Sequence, residues 1–556
     1  MAVTDSSENG VLARSRGRGS ATMPGLYWPG AKMLRKYQTP TGSFTRKSTF
    51  FWASVGATVG LANLWQFPYI VSTHGGGLFI LIYLACLLLV TLPLMVAEAA
   101  LGRHARHGIV LTMAGMVKNA GCPPFWRAAG PLSVLAAFLV LSFTVVFGGI
   151  VLAYTFFGAF GRFDGLSMVS AANLLTDFVS DPNHYRPFMA WHALFLLLAL
   201  AVSAQGVAAG LERAVRIIVP ATLVLLLLLF ALFVHFGSLA PGISKLLVMR
   251  PEQVSLASVK AALFHAFYTL GFGMGVWAVF GAYSTGHTRL KRSVLAVVLV
   301  DTLVAIIAGL MLFSVVNGSI MDGERGFSLL FVSLPVALAG VPFSQVFIAL
   351  AFLLIVMIVW ATTLSLLEPV VGWFREWTGA PRGWSVVFVG SAVWLAGLAS
   401  LFSFNLWANY RPGGATLFRW LELVAGGILV PAVAVLLATF FGWCLTRRYA
   451  TLILGAAPYF FRKLWFWVMR LVLPVVAAWV GMQYTFVSLA NLCDNASSAF
   501  WCVPEEQAVP PSQPEDPDAS AARPVRVTPE RGELDQGQEP ASESAPKQPD
   551  ILYHSV

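Results

Sequence analysis

The chain has 556 residues, of which 57% are hydrophobic and 11% charged, and a formal net charge of +10. A soluble protein carries about 25% charged residues, so this composition excludes a soluble globular domain and marks a polytopic, all-α membrane protein. The positive balance is therefore read by its position along the chain, as an orientation signal, and not as a nucleic-acid footprint.

Residues 1–43 are polar and basic, with Arg14, Arg16 and Arg18 set among Gly and Ser. They read as a flexible cytoplasmic arm without a cleavable signal peptide. A membrane span needs about 20 apolar residues, and eleven stretches qualify: 48–72, 77–101, 130–157, 188–204, 211–236, 258–283, 293–316, 345–371, 384–403, 418–445 and 465–487. Lys and Arg crowd into 14–47, 103–127, 213–216, 289–292, 375–382 and 447–463. That bias places the N-terminus inside the cell's plasma (inner) membrane and, with eleven spans, the C-terminus outside. Residues 488–503 contain Asn491, Asp494 and Asn495 and are too short for a further span, while 504–556 are rich in Pro, Glu, Ser and Gln and read as disordered. None of the five Cys (86, 122, 444, 493 and 502) has zinc or CxxC spacing. In an extracytoplasmic tail, Cys493 and Cys502 are either a disulfide or two free thiols.

The first span is a poor helix. Gly56, Gly60 and Pro68 interrupt it, and Thr58 and Asn63 sit within it. Unpaired backbone in lipid costs several kcal/mol, so a broken helix survives only inside protein or beside a cavity. Two readings are open: an ion or substrate site, or close helix packing through small residues. The sixth span repeats the pattern, with Gly271, Gly273 and Gly275 beside Thr269. Two breaks five spans apart point to a five-plus-five repeat, inverted because five is odd. Asp301 lies deep in the apolar seventh span. An ionisable residue there is a functional-site hypothesis by default, the alternative being a solvated or helix-capping Asp near the span end.

The run 56–68 (GATVGLANLWQFP), the glycines at 75–77 and the segment 92–103 (LPLMVAEAALGR) resemble the neurotransmitter:sodium symporter family, in its eleven-span bacterial form. Similar stretches follow at 206–220, 269–283, 299–309 and 365–369. The resemblance implies a LeuT-type fold with broken helices 1 and 6, and sodium-coupled uptake of an amino acid or related amine by alternating access. The chain would divide into the arm, a transporter domain over 44–487, and a tail over 488–556.

The resemblance also implies sites. A first sodium site would use the Thr58 carbonyl, Asn63, Thr269 and Asp301. A carboxylate at 301, where Asn is common in the family, would also make chloride unnecessary. A second site would use the carbonyls of Gly56, Val59 and Ile358 with two hydroxyls on span 8. Ala361 and Thr362 stand at those positions, so one hydroxyl is missing, unless the register slips to Thr362 and Thr363. One or two Na+ are thus expected. The substrate pocket would be built from Thr58, Ala62, Val140, Thr144, Tyr268, Gly271, Met274, Thr362 and Leu366. Thr144 replaces a Tyr that holds the substrate carboxylate, and Gly271 a frequent Ser, so a substrate larger than leucine, or without a standard α-carboxylate arrangement, is expected.

Gln66 replaces the outer-gate Arg, opposite Glu422. His265 stands at a gate Gln and is offered as a pH-sensitive partner for Glu422, the bland reading being a neutral buried His. Tyr283 matches an inner-gate Tyr. Phe44 stands for a Trp, and Arg46 is only near the inner-gate Arg. Glu98 would satisfy the amides freed at the span 6 break, and Gly210 with Pro220 would let span 5 unwind. No nucleophile–base pair or P-loop is present, so no enzyme is expected. The expected partners are a small-molecule substrate and the lipid bilayer, without nucleic acid, the protein being a monomer or weak dimer. A non-transporting sensor on the same fold is the alternative function.

Overall fold

A computed structural model describes residues 42–316, 328–455 and 458–494. Residues 495–556 of the tail, the Cys493–Cys502 pairing and most of the N-terminal arm lie outside the described residues, while 488–494, expected in the tail, continue the last helix, Leu473–Asp494. Among the described residues the structure is helical, with one isolated β-bridge between Gly76 and Met249.

Nine described helices are long and apolar enough to cross a membrane: Gly77–Ala105, Pro124–Ala159, Tyr185–Ala204, Val207–Phe236, Leu290–Val315, Ser344–Thr378, Arg382–Phe402, Leu417–Cys444 and Tyr459–Ala490. These are spans 2 to 5 and 7 to 11. Spans 1 and 6 are absent from that set because each is cut in two. Span 1 runs as Thr49–Thr58, then Leu61–Leu64 and Gln66–Thr73, and span 6 as Leu256–Tyr268 and Val276–Tyr283.

The breaks follow from residue type. At Val59 and Gly60 the backbone leaves the helical region (ψ 106° and −176°), so carbonyls near the break lose their intrahelical partners. In span 6, Gly271, Gly273 and Gly275 all adopt positive φ, at 59°, 79° and 74°. Only glycine takes that conformation without steric cost.

The packing has the exchange symmetry expected of an inverted repeat. The inner half of span 6 packs on span 2, and its counterpart in span 1 packs on span 7. Spans 3 and 8, equivalent in a five-plus-five scheme, share the longest contact in the molecule. Lipid provides no hydrophobic drive between helices, so close approach depends on small residues. Gly102 and Gly281 provide it where spans 2 and 6 cross: a Cβ on either would strike the backbone of Ala278 or Ala99. Gly60 does not serve such packing, since a Cβ there would meet only the neighbouring Thr58 carbonyl, at 3.7 Å.

A helix at Arg447–Leu454 bridges spans 10 and 11, turning Ala450, Ile453 and Leu454 inward. Cys122 and Cys444, 322 residues apart, form a disulfide with Cα atoms 6.0 Å apart. Their distance in sequence gave no cue to it.

Candidate functional site

The two breaks face each other, and the buried polar side chains gather around them. Asp301 is fully buried on span 7, and among the described residues neither carboxylate oxygen has a hydrogen-bond partner. Thr58 and Asn63 lie beside the carboxylate, outside hydrogen-bonding geometry. The Thr269 hydroxyl is also buried, without a partner among the described residues. Asn63 ties the strands of this cluster together: its Oδ1 accepts from the Gly60 amide at 3.0 Å, and its Nδ2 donates to the Asp301 carbonyl at 3.3 Å. Tyr83, fully buried on span 2, completes the group near Asp301 and Thr269. Leaving a buried carboxylate unpaired costs more than the roughly 1–3 kcal/mol of a neutral group, so this cluster is suited to an added cation. Its donor set is all oxygen, the set a hard cation prefers.

A second cluster lies on the other side of span 1. Thr362 Oγ1 is 3.4 Å from the Gly56 carbonyl, 3.4 Å from that of Val59 and 3.2 Å from that of Ile358. One hydroxyl proton cannot satisfy three carbonyls at once. The surplus oxygens again suit a cation. Thr363 does not join them, because its hydroxyl donates to Val359 in its own helix at 2.8 Å. Ala361 does face the site, with its Cβ 3.2 Å from where a Cβ on Gly56 would stand. Ala361 and Thr362, and not Thr363, are thus the span 8 residues turned toward the break of span 1.

Between the clusters opens a cavity of about 370 Å³. Of the expected pocket residues, Ala62, Val140, Thr144, Tyr268, Gly271, Met274 and Thr362 line it. Thr58 and Leu366 are buried behind it and are not in its wall. The Thr144 hydroxyl donates to the Val140 carbonyl at 2.7 Å, so its proton serves its own helix and it offers a ligand only lone pairs.

Phe143, Phe147, Phe264 and Phe272 make the wall strongly aromatic and were not anticipated. Phe147 falls one helical turn beyond Thr144, and Phe143 beside it, so the 3.6-residue period from Val140 was a usable signal. Tyr484 was unreadable as a wall residue: it comes from span 11, outside the repeat, and its ring lies 5.5 Å from that of Tyr268.

At one end of the cavity stand Gln66, His265 and Glu422. The expected His265–Glu422 pair does not form. Glu422 pairs with Arg419, one turn away on the same helix, at 3.0 Å. His265 is held between the rings of Phe67 and Tyr83, at 5.5 and 5.4 Å, and its Nε2 has no partner among the described residues.

Glu98 on span 2 reaches the other break, accepting from the amides of Gly273 at 2.9 Å and Ala278 at 3.4 Å. Amides freed by the positive-φ glycines thus find an acceptor.

The far end of the molecule holds a second polar layer. Tyr283 donates to Glu368 at 3.0 Å, and Glu368 is paired with Arg382. Phe44 donates its amide to the Tyr283 carbonyl at 2.9 Å and packs edge-on to its ring. Glu212, buried at the start of span 5, accepts from the Thr45 amide and hydroxyl at 2.7 and 2.9 Å, the Arg46 amide at 3.2 Å and the Thr49 hydroxyl at 2.6 Å. Arg46 thus enters through its backbone. Glu212 was missed, although a carboxylate at the edge of an apolar span is itself a signal. Gly210 and Pro220 flank it in span 5. Residues Val207–Glu212 form a widened π-type turn, and from Arg213 the helix continues through Pro220 to Phe236.

Relatives share this architecture. The chain matches the family model described as the sodium:neurotransmitter symporter family over residues 41–167 and 186–501. It is 28% identical over 436 residues to an uncharacterised sodium-dependent transporter of Bacillus subtilis, covering 77% of this chain and 94% of that one. It is 24% identical to an uncharacterised sodium-dependent transporter of Haemophilus influenzae, covering 78% of this chain and 96% of the other. The crystal structure of MhsT in complex with L-phenylalanine superposes with a TM-score of 0.70 at 28% identity, covering 80% of this chain and 99% of MhsT. The fold is of the LeuT type, and the chain belongs to the sodium:neurotransmitter symporter family.

Proposed function

We propose that this chain couples the inward movement of Na+ to uptake of an amino acid or related amine bulkier than leucine, by alternating access. The observation that carries the reading is Asp301: a fully buried carboxylate, unpartnered among the described residues, beside Asn63 and Thr269, which line the cavity. Na+ is the co-substrate. The Thr58 carbonyl, Asn63, Thr269 and Asp301 would hold one ion. Gly56, Val59, Ile358 and Thr362 would hold a second, more weakly for want of a hydroxyl at Ala361. Binding at Asp301 removes an uncompensated charge between spans 1, 6 and 7, so closure over the ion is favoured only when it is bound. The aromatic wall and Gly271 favour an apolar or aromatic side chain on the substrate. Each ion moved down a membrane potential contributes about 2.3 kcal/mol per 100 mV. Because Asp301 already supplies a fixed negative charge, chloride is not required.

The test is uptake into proteoliposomes of a panel of amino acids and amines, with Na+ replaced by K+ or choline and chloride by gluconate. Concentrative, Na+-dependent and chloride-independent uptake of a bulky substrate is expected, with Asp301→Asn lowering it at least tenfold. Strong preference for small α-amino acids would sink the substrate reading. The altered gate at Gln66 and the missing hydroxyl at Ala361 favour one competing reading, a sensor that binds substrate without moving it. Na+-dependent binding with no accumulation in the same vesicles would establish that alternative.

A further inference from the structure

A second cavity, of about 1150 Å³, lies away from the breaks. It lies at the end of span 2, bounded by Thr285–Arg292 at the start of span 7 and by the last turn of the Arg447–Leu454 helix. Arg103, Arg106, Arg289, Lys291 and Arg292 all line it, with His104 and His287, and among the described residues no Asp or Glu is in its wall. Backbone carbonyls position three of these side chains. Arg103 donates to the carbonyls of Thr288 and Gly286 at 2.7 and 2.8 Å, Arg106 to that of Ala282 at 2.8 Å, and Lys291 to that of Leu454 at 3.2 Å. Like charges gathered in one concavity repel each other, and the repulsion grows as the local dielectric falls.

The location narrows the ligand. Spans alternate in direction, so the end of span 2, the start of span 7 and the end of span 10 all lie on the face where span 1 begins. The cavity therefore sits at the bilayer surface, at the level of lipid headgroups, on the face where Lys and Arg are concentrated. Basic pockets between spans at that level suit phosphate-bearing headgroups, and Arg forks match phosphate geometry.

We propose that this cavity binds a phosphate-bearing anion, which clamps the end of span 2 to the segment that follows the broken span 6. The site is separate from the substrate pathway and does not depend on the transport reading.

The test uses the full chain, purified in detergent and stripped of lipid. In one arm, dioleoylphosphatidylglycerol or dioleoylphosphatidylcholine is titrated in and bound lipid is counted by native mass spectrometry. In the other, inorganic pyrophosphate is added and the melting temperature recorded. Tighter binding of phosphatidylglycerol than phosphatidylcholine, weakened about twentyfold in Arg289→Gln/Arg292→Gln, supports the site with a lipid as its source. The expectation takes roughly fivefold for each basic residue near an anionic headgroup. Stabilisation by pyrophosphate, lost in the same variant, supports it with a soluble anion as the source. The control variant Arg186→Gln/Arg411→Gln removes as much charge elsewhere and leaves binding unchanged. Leu452→Trp keeps every cation while filling an exposed part of the wall. It lowers binding too, and it decides the matter if the double variant does not fold. The proposal is overturned if neither anion binds in a way that the cavity variants weaken, or if the control weakens binding equally.

Discussion

The hydroxyl of Thr362 on span 8 lies 3.4 Å from the carbonyl oxygen of Gly56 at the break of span 1. It has two further carbonyls within 3.4 Å, those of Val59 and Ile358. A scaffold helix and a broken helix are joined there by oxygen atoms that outnumber their protons. Thr362→Ala removes the one hydroxyl and is expected to raise the Na+ concentration for half-maximal uptake about tenfold or more, given roughly 1.5–3 kcal/mol for a contact to a charged group. Ala361→Ser adds the missing oxygen against Gly56 and should lower that concentration. Sodium titrations of uptake in both variants check the pair; no change in either would remove Thr362 from the ion site.

Glu212 holds the start of span 1 through Thr45, Arg46 and Thr49. Those amides and hydroxyls lose their acceptor in Glu212→Ala. Hydrogen exchange over residues 45–49 should then quicken about tenfold or more, since charge-assisted bonds contribute roughly 1.5–3 kcal/mol. Glu212→Gln, which keeps an acceptor oxygen, should lie between. Unaltered exchange in the Ala variant would mean that Phe44, packed on Tyr283, closes this end by itself.

Arg382 and Glu368 are a buried pair, with side chains 11% and 1% exposed. Arg382→Ala strands the carboxylate and should destabilise the protein by about 3–5 kcal/mol, whereas replacing both partners by apolar residues of similar volume should recover most of the loss. Thermal melting in detergent measures both. A single variant as stable as the wild type would show that Tyr283, which also donates to Glu368, satisfies the carboxylate alone.

His265 packs between Phe67 and Tyr83 while Glu422 is engaged by Arg419. Because the two do not meet, His265→Gln should leave the shape of the uptake–pH profile between about 5.5 and 7.5 unchanged. A profile that flattens in the variant would restore the coupling that the geometry denies.

The sequence by itself determined the spans, the breaks and the family of this protein. Eleven apolar stretches are local properties of length and composition, and glycines at 271, 273 and 275 permit a break at no steric cost. Asp301, Asn63 and Thr269 were legible because polar groups in an apolar run have few reasons to exist. Tertiary structure alone decided which partners meet. It chose Arg419 over His265 for Glu422, placed Thr362 and not Thr363 against the Gly56 carbonyl, turned the Thr144 proton onto its own helix and brought Tyr484 from span 11 to the cavity wall. It also closed a basic cavity from segments far apart in the chain. The reason is physical: helical periodicity sets which residues share a face, but the rotation and crossing of each helix are set by packing against its neighbours. A few ångströms of that packing separate a hydrogen bond from none.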